Sequence, residues 1–126
     1  MSKNKLIWSS KPELDDYGAA AAFLSLLLRS SRVTALIRKL RAAPVTEQAA
    51  RDLLRASGLP LLSREESSVE NELKKIAKGK PLSPVLLIRG DLVQGVHLTV
   101  ADGYHRICAV CYFDETAPVA CKLAQP

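Results

Sequence analysis

Asp102-Gly103-Tyr104-His105-Arg106 places a carboxylate, an imidazole and a guanidinium within five residues, around a single glycine. Val100 and Ala101 before it read as strand, and the residues after it read as helix, so the segment is a strand that turns directly into a helix N-terminus. Such an end leaves backbone N–H groups unpaired and carries partial positive charge, which suits an anion. Gly103 permits a tight turn and close approach of a ligand. Arg106 adds a planar, permanently charged fork matched to phosphate oxygens, with a salt bridge to Asp102 or Asp114 as its structural alternative. His105 titrates near neutrality and is the candidate general acid or base, with Asp102 beside it; a backbone-carbonyl hydrogen bond is the plainer role for the imidazole. Asp102 itself reads as the helix N-cap, with a Mg²⁺-binding or His105-orienting role as the alternatives. The chemistry is phosphate handling.

Cys108 and Cys111 form a C-x-x-C on the helix that follows. In redox motifs the first cysteine sits at the helix start, where the dipole lowers its pKa, whereas here it comes about a turn later. A four-ligand zinc set can be assembled from His105, Cys108, Cys111 and Cys121, with His97 to spare. The neighbours Ile107, Ala109, Val110 and Tyr112 favour instead small core thiols and no metal.

These residues need a scaffold, and 126 residues supply one domain with a real core. A hydrophobic content of 48% with 25% charged residues excludes a disordered chain. The apolar run from Ala19 to Leu28 is too short to span a bilayer, and Glu13, Asp15 and Asp16 before it do not suit a secretory signal. A cytoplasmic protein with no membrane partner is expected. Its three cysteines, an odd number, then read as reduced thiols. The net charge of +5 is unevenly spread, with seven basic and two acidic residues between Arg29 and Arg55. That region reads as a solvated helix face, with nucleic-acid binding as the alternative.

Residues 1–12 read as a loose lead-in from which Trp8 docks on the body. Leu14 to Leu28 reads as a helix, apolar enough on one side to be buried or to form a dimer interface. Arg32 to Ala42 reads as a second helix, with Val33, Leu36, Ile37 and Leu40 at helical spacing. A third, N-capped by Thr46, ends at Ser57-Gly58. The second and third read as an αα-hairpin that superficially resembles a helix-turn-helix. Gly58 to Leu62 reads as a short extended piece. A fourth helix carries Val69, Leu73, Ile76 and Ala77 behind a Ser67/Glu70 capping box and ends at Gly79. Val85-Leu86-Leu87-Ile88 reads as a buried strand and Asp91 to Gly95 as a turn. Val96, Leu98 and Val100 alternate as in a second strand. A helix from Tyr104 to about Phe113 and a last strand from Val119 to Leu123 complete an α+β chain.

The second half resembles the ParB/sulfiredoxin superfamily, over roughly residues 58–124, about half of the chain. The resemblance rests on an ordered set: Leu59 to Leu62, the Val69 to Ala77 helix, Pro81 and Pro84 before Val85 to Ile88, the Asp102-Gly103-Tyr104-His105-Arg106 turn, and Ala120 to Leu123. It implies a ParB/sulfiredoxin-like small mixed sheet at 58–126, preceded by a helical extension at 1–57 packed on the core. It also implies a nucleotide or other phosphorylated ligand at Gly103, Tyr104, His105 and Arg106, bordered by Lys80, Ser83 and Arg89. If the ligand is turned over, the reaction implied is phosphoester or nucleotide phosphate hydrolysis, with His105 and Asp102 as the catalytic pair. Tyr104 stands where sulfiredoxins place their catalytic cysteine, which excludes that activity. ParB proteins carry an acidic residue and two arginines where this chain has Tyr104, His105 and Arg106. On these expectations Arg106→Ala should weaken ligand binding and leave the melting temperature nearly unchanged. The rival reading is a non-catalytic interaction or dimerisation module on the same fold.

Overall fold

A computed structural model describes residues 5–126 of the chain. Its centre is Val85–Ile88, where four successive apolar side chains are all buried. Side chains alternate across a strand, so a run without polar members needs cover on both faces. Both faces are covered. Leu86 and Ile88 pack with Ala101 and Ala124 against helices α1 (Leu14–Leu24) and α2 (Ser30–Ala42). Val85 and Leu87 pack with Val100, Val119 and Cys121 against α3 (Ala50–Ser57), α4 (Ser67–Ala77) and α5 (Tyr104–Phe113). The fold is α+β: five helices around a four-stranded mixed sheet among the described residues.

The strands are β1 (Thr46–Ala49), β2 (Val85–Ile88), β3 (Thr99–Asp102) and β4 (Pro118–Ala124), in the order β1-β4-β2-β3. β2 and β4 are parallel; β3 runs antiparallel to β2 and β1 antiparallel to β4. Among the described residues no helix is long and apolar enough to cross a membrane.

Several expectations change. The third helix does not begin at Thr46: residues 46–49 form an edge strand, with Thr46 opposite Cys121, and the helix starts at Ala50. β1 therefore belongs to the same sheet as β2, β3 and β4. It also separates α2 from α3, which take opposite faces, so neither an αα-hairpin nor a helix-turn-helix forms. The basic residues between Arg29 and Arg55 are divided between those two layers. The first helix stops at Leu24, where the Ser25 hydroxyl turns back to the Ala22 carbonyl at 2.6 Å. Glu66, rather than Ser67, caps α4, its carboxylate accepting from the N–H of Ser68 and Val69. Residues 59–62 form no strand, and Val96 makes only a local bridge with Asp91. Trp8 does dock: it bridges to Leu82 and packs on the core, while residues 1–4 of the lead-in lie outside the described part.

Candidate functional site

The pairing of β2 with β3 slips between Leu86 and Leu87, so that two residues of β3 oppose one step of β2. Such a bulge re-aims the chain. Here it delivers Asp102 as the last strand residue and Gly103 as the residue from which α5 starts. Asp102 is therefore not the N-cap. Gly103 occupies that place at φ +111°, and no side chain caps the helix.

Asp102 faces Arg106, one turn along α5, at 3.4 Å. Asp16 of α1 lies 3.7 Å from the same guanidinium and Glu72 of α4 lies 3.8 Å from its Nε. Nη1 donates to the Ser83 carbonyl at 2.8 Å. Three acids from three elements thus converge on one arginine, and all four side chains are only 12–15% exposed. A planar guanidinium can serve several acceptors at once, which a lysine ammonium cannot do with comparable geometry. Arg106 is the counter-charge of a buried acidic cluster. The salt bridge to Asp102 is the role realised in this structure.

Three carboxylates exceed one guanidinium, and the excess falls on Asp102. Burial pushes its carboxyl up to about 6 from an ordinary 3.8, Arg106 opposes the rise, and the neighbouring Asp16 adds to it. A raised carboxyl binds more protons folded than unfolded, so its contribution to stability is complete below about pH 4 and is lost as pH rises through about 6. Asp102→Asn, a neutral isostere, should remove that loss. Relative to the wild type, the variant should gain about 1–3 kcal/mol between pH 4 and pH 7.5, in urea unfolding at both values. A difference that does not vary with pH would contradict the assignment.

A cavity of about 470 Å³ opens beside the cluster, lined by Gly103, His105, Ser68, Asn71 and Lys75, with Glu72, Asp102 and Arg106 at its wall. His105 is partly exposed, and its Nε2 lies 3.7 Å from the Glu66 carboxylate. Lys75 reaches Glu72 at 3.0 Å. Tyr104 turns away, its hydroxyl donating to the Pro60 carbonyl. Ser83 contributes its carbonyl to Arg106 rather than a hydroxyl to the cavity, and Lys80 does not line it. Arg89 lies elsewhere, on a hollow with His97 and Gly90.

No group of three or more His, Cys, Asp or Glu side chains among the described residues converges as a metal site. Glu72 and Asp102 face Arg106, so the acids are not arranged for Mg²⁺. Cys108 and Cys121 are buried, and Cys121 meets the Thr46 hydroxyl at 3.7 Å. Burial raises all three thiols, Cys111 to about 11, which disfavours thiolate chemistry.

The residues that sequence reasoning missed are Asp16, Glu66, Ser68, Asn71, Glu72 and Lys75. A signal existed for the α4 members: Ser68, Glu72 and Lys75 recur at helical spacing directly beside the Val69, Leu73 and Ile76 stripe. Asp16 carried none, because its first-turn position is explained by its bond to the Glu13 N–H at 2.9 Å. Compared with known proteins, the chain matches no family model, no curated protein and no solved structure.

Proposed function

We propose that this chain is a ParB/sulfiredoxin-like domain that binds a nucleotide or other phosphorylated small molecule at the start of α5. One observation carries the reading. The first turn of α5 has no side-chain cap and opens, together with Lys75, His105, Ser68 and Asn71, onto one cavity of about 470 Å³. Uncapped amides at a helix start favour an anion, and an ammonium and an imidazole at the rim add donors of the right sign. The size suits a ligand of nucleotide scale.

In this reading the roles differ from those expected of the residue types. Arg106 acts as a positioning residue, balancing Asp16, Glu72 and Asp102 so that Gly103 and the helix start keep their place. Phosphate contacts fall to the amides of the first turn, to Lys75 and to His105. If the bound ester is hydrolysed, His105 and Asp102 are the groups able to move a proton, since Asp102 titrates near 6 beside the cavity.

The test is calorimetry at low salt with a panel of nucleoside mono-, di- and triphosphates. Lys75→Ala should weaken the best of them about ten-fold, the loss of one charge-assisted hydrogen bond. Its side chain is half exposed, so the fold should be undisturbed. Absence of binding across the panel would discard the reading and favour the interaction module. For that rival, the exposed Phe23, Leu26 and Leu27 at the end of α1 offer an apolar surface.

A further inference from the structure

Lys122 lies on β4 among the sheet's buried residues, only 7% exposed, where a lysine is rarely found without an acidic partner. Among the described residues no carboxylate lies within ion-pair distance of it or of Arg41 beside it. Its ammonium donates to the Arg41 carbonyl at 2.9 Å, at the last turn of α2, and lies 5.8 Å from the Tyr17 ring centre. Arg41 covers the same ring at 4.3 Å. Two cations thus share one aromatic ring, and the backbone of one accepts from the other.

Both line a cavity of about 830 Å³ with Ser9, Ser10 and Lys11. Its two acids make no ion pair with either cation: the Glu13 carboxylate faces the Asp16 N–H as half of a capping box, and Asp15 lies within 4 Å of neither cationic group. An ammonium has three donors, and only one is used on a protein oxygen. A buried cation of this kind is stabilised by an anion that brings its own negative charge.

We propose that this cavity is a second anion site, distinct from the α5 turn, that takes a phosphate group. Lys122 and Arg41 supply the charge, and Ser9, Ser10 and Lys11 form the rim. A tetrahedral dianion accepts more donors than a carboxylate, and this site combines a guanidinium fork, an ammonium and two hydroxyls. The proposal is independent of the α5 reading, since the two cavities share no lining residue.

The experiment is a titration of the full chain with inorganic phosphate at constant ionic strength, followed by amide chemical shifts and by thermal melting. Phosphate should shift the amides of Ser9, Ser10 and Tyr17 and raise the melting temperature. Arg41→Gln, at an exposed side chain, should weaken phosphate binding read at those amides about ten-fold, and Lys122→Met should abolish their shifts. Lys75→Ala should leave the shifts at those three amides unchanged, whatever it does to melting through the α5 site. Three results overturn the proposal: no shift at those amides, a shift that survives Arg41→Gln, or an equal response to acetate. Should Lys122→Met not fold, Arg41→Gln and the acetate comparison decide alone. Should Lys75→Ala remove the response and Arg41→Gln keep it, the phosphate sits at α5 and the second site is refuted.

Discussion

Arg106→Met is expected to destabilise the protein by about 3–5 kcal/mol at pH 7.5, the cost of leaving buried charges without their partner. In a chain of this size that lowers the melting temperature by roughly 10–20 °C. The substitution keeps the length of the side-chain stem and removes the charge and the donors. Asp16, Glu72 and Asp102 then lie within one poorly solvated space with no cation except Lys75, which reaches only Glu72. The Ser83 carbonyl loses its donor as well. This reverses the expectation drawn from the turn alone, in which Arg106 serves a ligand and its loss leaves the melting temperature unchanged.

The deficit should also depend on pH. Arg106 holds the Asp102 carboxyl down from where burial would otherwise push it. Without the guanidinium that carboxyl titrates higher still, so protonation relieves the strain at a higher pH than in the wild type. The gap between variant and wild type should shrink as pH falls towards about 6 and stay level below it. Arg106→Lys should recover only part of the loss, since one ammonium cannot face three carboxylates and a carbonyl together. Urea unfolding of both variants at two pH values decides the matter. A normal melting temperature in Arg106→Met, coupled with lost nucleotide binding, would return the arginine to the ligand.

The same arginine shows where the sequence stops being informative. A guanidinium one turn into a helix suits a phosphate or a carboxylate equally well, and residue type does not choose. The choice is made by Asp16, ninety residues away in the chain, and by Glu72 on another helix, both brought in by packing. By contrast Val85–Ile88 was legible as a strand covered on both faces, because four apolar residues in succession leave no side for water. α2 and α4 were legible from their apolar spacing, and α5 from the glycine turn before it. β1 was not: Thr46-Glu47-Gln48 are exposed, and only the non-local ladder to β4 makes them strand. Asp102 was misread as a cap because the bulge that carries it past that position is a property of strand pairing.

Gly103→Ala is the other substitution expected to be severe, at about 3–5 kcal/mol, and two separate terms produce it. Gly103 sits at φ +111°, a conformation that an L side chain adopts only with strain. An added Cβ would also lie 2.4 Å from Cγ1 and 2.8 Å from Cβ of Val85, a fully buried residue of the central strand with no room to withdraw. Gly95 provides the control: its φ is +72°, but nothing lies within 4 Å of its would-be Cβ. Gly95→Ala should therefore cost only the backbone term, about 1 kcal/mol. The part of the steric term that comes from Cγ1 can be isolated by trimming the strand. In a double-mutant cycle, Gly103→Ala with Val85→Ala should be less destabilised than the sum of the single variants by about 1–3 kcal/mol. Additivity would show that Cγ1 of Val85 does not press on the turn. A positive coupling would mean that β2 presses directly on the turn, so that the helix start of the candidate site is held in place by the core of the sheet.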